Sequence, residues 1–334
     1  MQRMSNASLG AAPSRDRDIR PQQSAGAVLM IRPAAFGYNP ETAATNKMQK
    51  PGGTQSGQVL ALSEFDQCVQ ALRAEGIAVC AVEDTPQPAK PDAIFPNNWL
   101  SFHEDGTLVL YPMQAESRRR ERRPEIIDTV VSQLGFAVSR VVDLTSNEAA
   151  GRFLEGTGSL VLDRCNRVAY ACLSPRTDAT VFQEWARALD YEAVSFEAFD
   201  PNGVPYYHTN VMMCIGTRMA VLGTCAMSAD DRARVIEKLE MTGHEVIEIQ
   251  YDEIEQFAGN MLELASWDEA LGDSRLLVMS EAARRALRPE VYARLSASTD
   301  YTLSVPLPTI ETLGGGSVRC MLAEVFLPAR AHST

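Results

Sequence analysis

The stretch "FLEGTGSLVLDRCNRVAYACLSPRTDATVFQEWARALDYEAVSF", Phe153–Phe196, decides the fold. It opens with an acidic residue, Glu155, set between Leu and Gly. Two short apolar runs follow, "GSLVLD" and "RVAYACL", rich in β-branched residues and alternation, so each reads as a strand. From about Thr177 to Leu189 the apolar residues recur at helical spacing. "YEAVSF" is a third short strand. The unit is therefore strand, strand, helix, strand.

The same plan recurs along the chain, and repeats at a fixed period signal an architecture built from stacked units. "AIFPNNWLSF" leads to "TLVLYPM", a charged helix expected from about Glu116 to Leu134, and "AVSRVVDL". "YYHTNVMMCIG" leads to "MAVLGTCAM", a helix near Ser228–Met241, and "HEVIEIQ". "FAGNMLELAS" leads to "RLLVMS", a helix near Glu281–Leu295, and "YTLSVPL". The first unit is "AVLMIRPAAF", a helix near Ala61–Glu75, and "IAVCAVE". Asp92, Glu155, His208 and Asn260 stand at similar places, 63, 53 and 52 residues apart. Five ββαβ units that each bury one sheet edge and one helix face imply a closed ring of repeats. Equivalent strand ends would then converge at its centre.

The 334 residues are 45% hydrophobic, ample for a large core, and the net charge is −12. That charge argues against nucleic-acid and anionic-membrane partners. A small substrate held by local arginines stays compatible with it. The seven cysteines form no CxxC pair and no zinc-ligand spacing with the four histidines, so neither a disulfide framework nor a structural metal is expected. A reducing cytoplasm is the expected compartment. Residues 1–26 read as a disordered leader without a secretory core, and no run is long enough to span a membrane.

Cys320 lies in "LGGGSVRCMLAEVF", Leu313–Phe326, just after three glycines and at the head of a last expected strand. A lone cysteine is most often a small buried hydrophobe. The glycines change the reading, because they permit a close approach to the thiol. A thiol nucleophile needs a base within reach. His208, in "VPYYHTNVMM", is the natural partner, whereas His103, His244 and His332 read as surface residues. Glu155 is either an exposed turn residue or a buried acid with a partner. The run "ESRRRERR", Glu116–Arg123, reads first as a solvated helix start, yet one arginine could face a substrate carboxylate. "PDAIFPNNW" is an Asn-rich turn or a site segment carrying Asp92, Asn97 and Asn98.

In order and spacing these motifs resemble the guanidino-group-modifying pentein superfamily of arginine deiminases, dimethylarginine dimethylaminohydrolases and amidinotransferases, over about Val28–Phe326. "PDAIFPNN" is similar to the family's substrate-contacting PDxxFxxD. "YPMQAESRR" and "LSPRTDAT" place Arg118 and Arg176 on its carboxylate-binding arginines. "EGTGS" resembles E-x-G-D, with Glu155 orienting the catalytic histidine, and "YHTNV" places that histidine at His208. "GGGSVRC" resembles Gly-Gly-x-x-Cys, with Cys320 as nucleophile. The resemblance implies a five-bladed α/β propeller over residues 27–328, a single catalytic domain followed by a short tail, 329–334. It implies no cofactor and no metal, a small amino-acid substrate, and a possible homo-oligomer.

Three positions depart from the guanidinium-binding pattern. Asn98, Ser159 and Asn210 stand where acids are expected. A guanidinium has only donors and wants carboxylates, whereas Asn offers a donor and an acceptor to a neutral ureido group. The closest branch by resemblance is the citrulline-utilisation hydrolases. The expected reaction is hydrolysis of the ureido C–N bond of citrulline to ornithine, ammonia and carbon dioxide. Asp92 would take the α-ammonium, Arg118 and Arg176 the α-carboxylate, and Asn97 and Asn98 the head. Alternatives are a deiminase or dimethylaminohydrolase acting on a guanidinium, an amidinotransferase, and a non-catalytic binding member of the superfamily.

Overall fold

The computed structural model describes residues 22–52, 55–268 and 272–329. The N-terminal part of the expected leader, residues 1–21, and the end of the tail with His332 lie outside them.

Among the described residues fifteen strands form five three-stranded sheets of one design. In Val161–Asp163, Val168–Cys172 and Glu192–Phe196 the first pair is antiparallel and the second parallel. The parallel pair needs a crossover, and the helix Ala179–Leu189 supplies it. Asp178 starts that helix by accepting from the amides of Thr180 and Val181, satisfying donors that the first turn leaves open. Its buried face is Val181, Phe182, Trp185, Ala186 and Leu189, one stripe at helical spacing laid on the sheet.

The other units repeat this plan with local differences. The first unit lacks an initial strand of its own. Ala323–Glu324, from the far end of the chain, pairs antiparallel with Val28 and Leu29 and completes that sheet. The long helix expected over Glu116–Leu134 is two pieces, Glu116–Arg119 and Pro124–Leu134. The one expected over Glu281–Leu295 is also two, Glu281–Ala286 and Pro289–Ser298. In both cases a proline fixes φ and lacks the N–H that a continuing helix needs, so it opens a new helix instead. The helix of the first unit begins earlier than expected, at Gln55.

Residues 23–25, within the expected leader, are bound to the fold. Gln23 donates to the carbonyls of Leu162 (2.9 Å) and Ile215 (3.2 Å), Ser24 bonds Glu263, and Ala25 bridges to Leu264. Two sheet carbonyls, the Glu263 carboxylate and the backbone at Leu264 hold this segment in place. His103 and His244 are buried rather than on the surface: His103 bonds Ser101 (2.8 Å) and His244 bonds Thr242 (3.1 Å). None of the seven cysteines is in a disulfide. Among the described residues no helix is long and apolar enough to cross a membrane, and no cluster of His, Cys, Asp and Glu is arranged to hold a metal ion.

Candidate active site

Each of the five sheets is preceded by a short turn at the same end. Pro96–Asn98, Gly156–Ser159, Thr209–Val211 and Val318–Met321 are single helical turns, and Phe257–Asn260 is the fifth. Cys320 thus sits on a helical turn just before the last strand, not on a strand, because Ser317 and Arg319 close that turn through backbone bonds to Cys320 and Leu322. The turns bring residues far apart in sequence into contact.

His208 Nε2 and Glu155 Oε2 are 2.8 Å apart, both buried. Glu155 Oε1 accepts from the Gln114 amide (3.0 Å), and Oε2 also faces Arg176 Nη1 at 3.5 Å. Burial opposes the charge on Glu155, but Arg176, His208 and Arg118 together hold its carboxyl well below the usual range. Burial pushes His208 down to about 4 against the upward pull of Glu155. At neutral pH the pair is therefore carboxylate and neutral imidazole. The proton sits on Nε2, facing the carboxylate, and Nδ1 keeps a free lone pair. A Cβ on Gly158 would stand 2.7 Å from His208 Nδ1 and 2.4 Å from Asn98 Nδ2. Glycine is what lets these two groups share the space.

Cys320 is buried, and Asn260 Nδ2 (3.2 Å) and Asn210 Nδ2 (3.5 Å) point at its sulfur. Neither amide was a sequence-level site residue. Asn260 had shown itself only as the fourth member of the repeat series, and Asn210 only as a missing acid. Tyr207, whose hydroxyl donates to the Gly315 carbonyl (2.6 Å), left no signal beyond its place beside His208.

Asp92, Asn98, Arg118, Arg176, His208 and Cys320 line one small void of about 20 Å³. Arg118 holds Glu121 with two bonds of 3.0 Å, the Asn98 Oδ1 at 2.7 Å and the Phe95 carbonyl at 3.1 Å. Burial pushes the Glu121 carboxyl up to about 7 against the pull of Arg118. Arg176 donates to Thr45 Oγ1 (2.8 Å) and the Thr42 carbonyl (2.5 Å). Asp92 accepts from Asn39 (2.7 Å) and Thr42 (3.1 Å), and burial raises its carboxyl. Asn97 departs from expectation: its amide turns to Thr157 (3.3 Å), outside the lining of the void. Elsewhere in "ESRRRERR", Arg122 pairs with Glu148 and Arg123 with the buried Asp84.

A buried Cys, His and carboxylate set at the ends of five mixed sheets, beside two arginines, defines an enzyme of the guanidino-group-modifying superfamily. Within it, the chain belongs to the family described as N,N dimethylarginine dimethylhydrolase, eukaryotic, which matches residues 32–327. No curated protein matches the chain. Among solved structures it is similar to ArgZ, an arginine dihydrolase from the ornithine–ammonia cycle in cyanobacteria, with TM-score 0.71 and 18% identity over 90% of this chain and 41% of that one. The chain thus spans about two fifths of that enzyme. The N-terminal domain of ArgZ, a cysteine-to-serine mutant bound to substrate, matches with TM-score 0.69 and 18% identity, over 91% of this chain and 99% of that one. A dimethylarginine dimethylaminohydrolase adduct with S-methyl-L-thiocitrulline matches with TM-score 0.60 and 18% identity, over 89% and 98%. These likenesses carry the fold.

Proposed function

We propose that residues 27–328 form one catalytic domain, a five-bladed ring whose central site hydrolyses the ureido C–N bond of citrulline. One observation carries the choice of head group. Asn98 Nδ2 is a buried donor with no partner among the described residues, while its Oδ1 is occupied by Arg118. A ureido oxygen would accept from that donor. A guanidinium presents only N–H groups and would oppose it. The other groups at the sulfur are the amides of Asn210 and Asn260, and Glu155 already has both oxygens engaged.

In this reading the Cys320 thiol passes its proton to His208 Nδ1, and the sulfur attacks the ureido carbon. The bond from that carbon to the ornithine δ-nitrogen breaks, and the departing amine takes the proton from His208. Water then attacks the S-carbamoyl carbon, giving a proton to His208 and releasing the thiolate. The carbamic acid so formed breaks down to ammonia and carbon dioxide. Glu155 holds the imidazole and stabilises its charged form throughout. Arg176 and Arg118 would take the α-carboxylate and Asp92 the α-ammonium. A void of about 20 Å³ has room for little more than a water. Segment 39–46 must therefore give up its bonds to Asp92 and Arg176 when substrate enters.

A second reading has arginine as the substrate, attacked at the same carbon by the same three residues. Its support is the likeness to arginine dihydrolases and the family match. Ammonia release from citrulline and from arginine by the same preparation, compared as kcat/KM, separates the two.

A further inference from the structure

We propose that Asn260 is a catalytic residue: its amide donates to the Cys320 sulfur and stabilises the negative charge that forms there as the thiol passes its proton to His208, while it locks the nucleophile's turn in place. The inference rests on Cys320 being the nucleophile, not on the identity of the substrate. Asn260 is fully buried and makes three contacts. Its Oδ1 accepts from the Arg319 amide (3.1 Å), and its Nδ2 donates to the Asn210 carbonyl (3.0 Å) and to Cys320 Sγ (3.2 Å). The first two contacts settle the orientation of the amide. Turned over, it would set N–H against N–H and oxygen against oxygen. The sulfur therefore faces a donor by necessity.

Among the described residues the hydrogen-bond partners of Sγ are Asn210 and Asn260, both neutral. Donation to the charged form favours it, and such bonds are stronger than neutral ones. Two amide donors thus stabilise charge forming on the sulfur during the reaction without placing a cation beside an incoming substrate. The fold builds this contact deliberately close. A Cβ on Gly259 would lie 2.4 Å from the Val211 carbonyl oxygen and 2.6 Å from Met212, so glycine brings the turn of Asn260 onto the turn that carries Asn210.

Asn260→Asp separates the thiolate role from a structural one. The new side chain keeps an oxygen for the Arg319 amide. Ionised or protonated, it cannot supply the two hydrogens that Nδ2 gives to the Asn210 carbonyl and to Sγ. The readout is the rate at which iodoacetamide alkylates the Cys320 peptide at one fixed pH, followed by mass spectrometry with the thermal transition recorded alongside. Alkylation in Asn260→Asp should slow on the order of tenfold to a hundredfold, the span of a charged hydrogen bond. If the variant does not fold, Asn210→Asp carries the same test, with slowing of roughly tenfold expected from its longer contact. A folded Asn260→Asp alkylated at the wild-type rate overturns the proposal, as does an unchanged rate in Asn210→Asp. Alkylation needs no substrate, so a preference for arginine would defeat the ureido reading and leave this one standing.

Discussion

Arg118 Nη1 and Asn98 Oδ1 are 2.7 Å apart, and this single bond orients the amide so that Asn98 Nδ2 is left without a partner among the described residues. An unpaired buried donor is costly, by about 1–3 kcal/mol. The cost is recovered when a ligand supplies an acceptor. Asn98→Asp replaces the donor by an acceptor and adds a charge. Citrulline turnover should fall by on the order of a hundredfold or more, while arginine binding improves. Steady-state kinetics of Asn98→Asp on both compounds check this, and unchanged citrulline turnover would remove Asn98 from the head-group site.

Cys320→Ser should retain the fold and lose nearly all turnover, because a hydroxyl ionises far less readily than a thiol. Wild-type enzyme quenched during turnover should carry a carbamoyl group on the Cys320 peptide. A serine variant keeping more than about a tenth of the activity would point to a different nucleophile.

Gly158→Ala tests the crowding around the base. The added methyl would meet Asn98 Nδ2 at 2.4 Å and His208 Nδ1 at 2.7 Å. Both side chains must shift, so kcat should drop by on the order of a hundredfold, since small displacements of reacting groups cost that much. Wild-type kinetics in this variant would show that His208 Nδ1 is not the working nitrogen.

The two arginines should behave differently. Arg176→Ala should weaken substrate binding by roughly 1.5–3 kcal/mol with a modest effect on stability, read as a rise in KM. Arg118→Ala also strands Glu121 in the interior, so about 3–5 kcal/mol of stability should be lost as well. Adding Glu121→Gln should restore part of that stability. Equal denaturation midpoints for wild type and Arg118→Ala would contradict the pairing.

The buried histidine gives the fold a pH dependence of known sign. His208 is depressed to about 4 in the folded chain and titrates near 6.5 when unfolded. The unfolded state therefore binds the proton first. The contribution of His208 to stability is complete above pH 6.5 and is lost as the pH falls from 6.5 to 4, with a ceiling of about 3 kcal/mol. Glu155, also depressed, works in the same direction at lower pH. Glu121, raised to about 7, works the other way, losing stability as the pH rises from 4.5 to 7. Urea unfolding at pH 6.5 and pH 4 should show a larger loss for wild type than for His208→Gln. Equal losses would mean that His208 is not held neutral by burial.

The repeat made much of the fold legible, since strand alternation and helical spacing are local signals. What the repeat hid is physical in origin. The pairing of Ala323–Glu324 with Val28 and Leu29 joins the two ends of the chain, and no local pattern reports it. The breaks at Pro124 and Pro289 were readable, because proline opens helices more readily than it continues them. In the site, Glu155, His208 and Cys320 stood out because an acid, a base and a thiol are unusual at buried strand ends. Asn260 and Asn210 did not, because an amide in a turn has an ordinary explanation. The bond from Arg118 to Glu121, and the contacts of Thr42 and Asn39 with Asp92, depend on tertiary approach alone.

A neutral head group is tested most directly by one measurement: kcat/KM of the wild-type enzyme for citrulline and for arginine, by ammonia release. Sites that match hydrogen bonds in a buried pocket discriminate by on the order of 10⁴. Citrulline should win by a factor of that order. A kcat/KM for arginine equal to or above that for citrulline would contradict the amide argument and give the arginine reading its place.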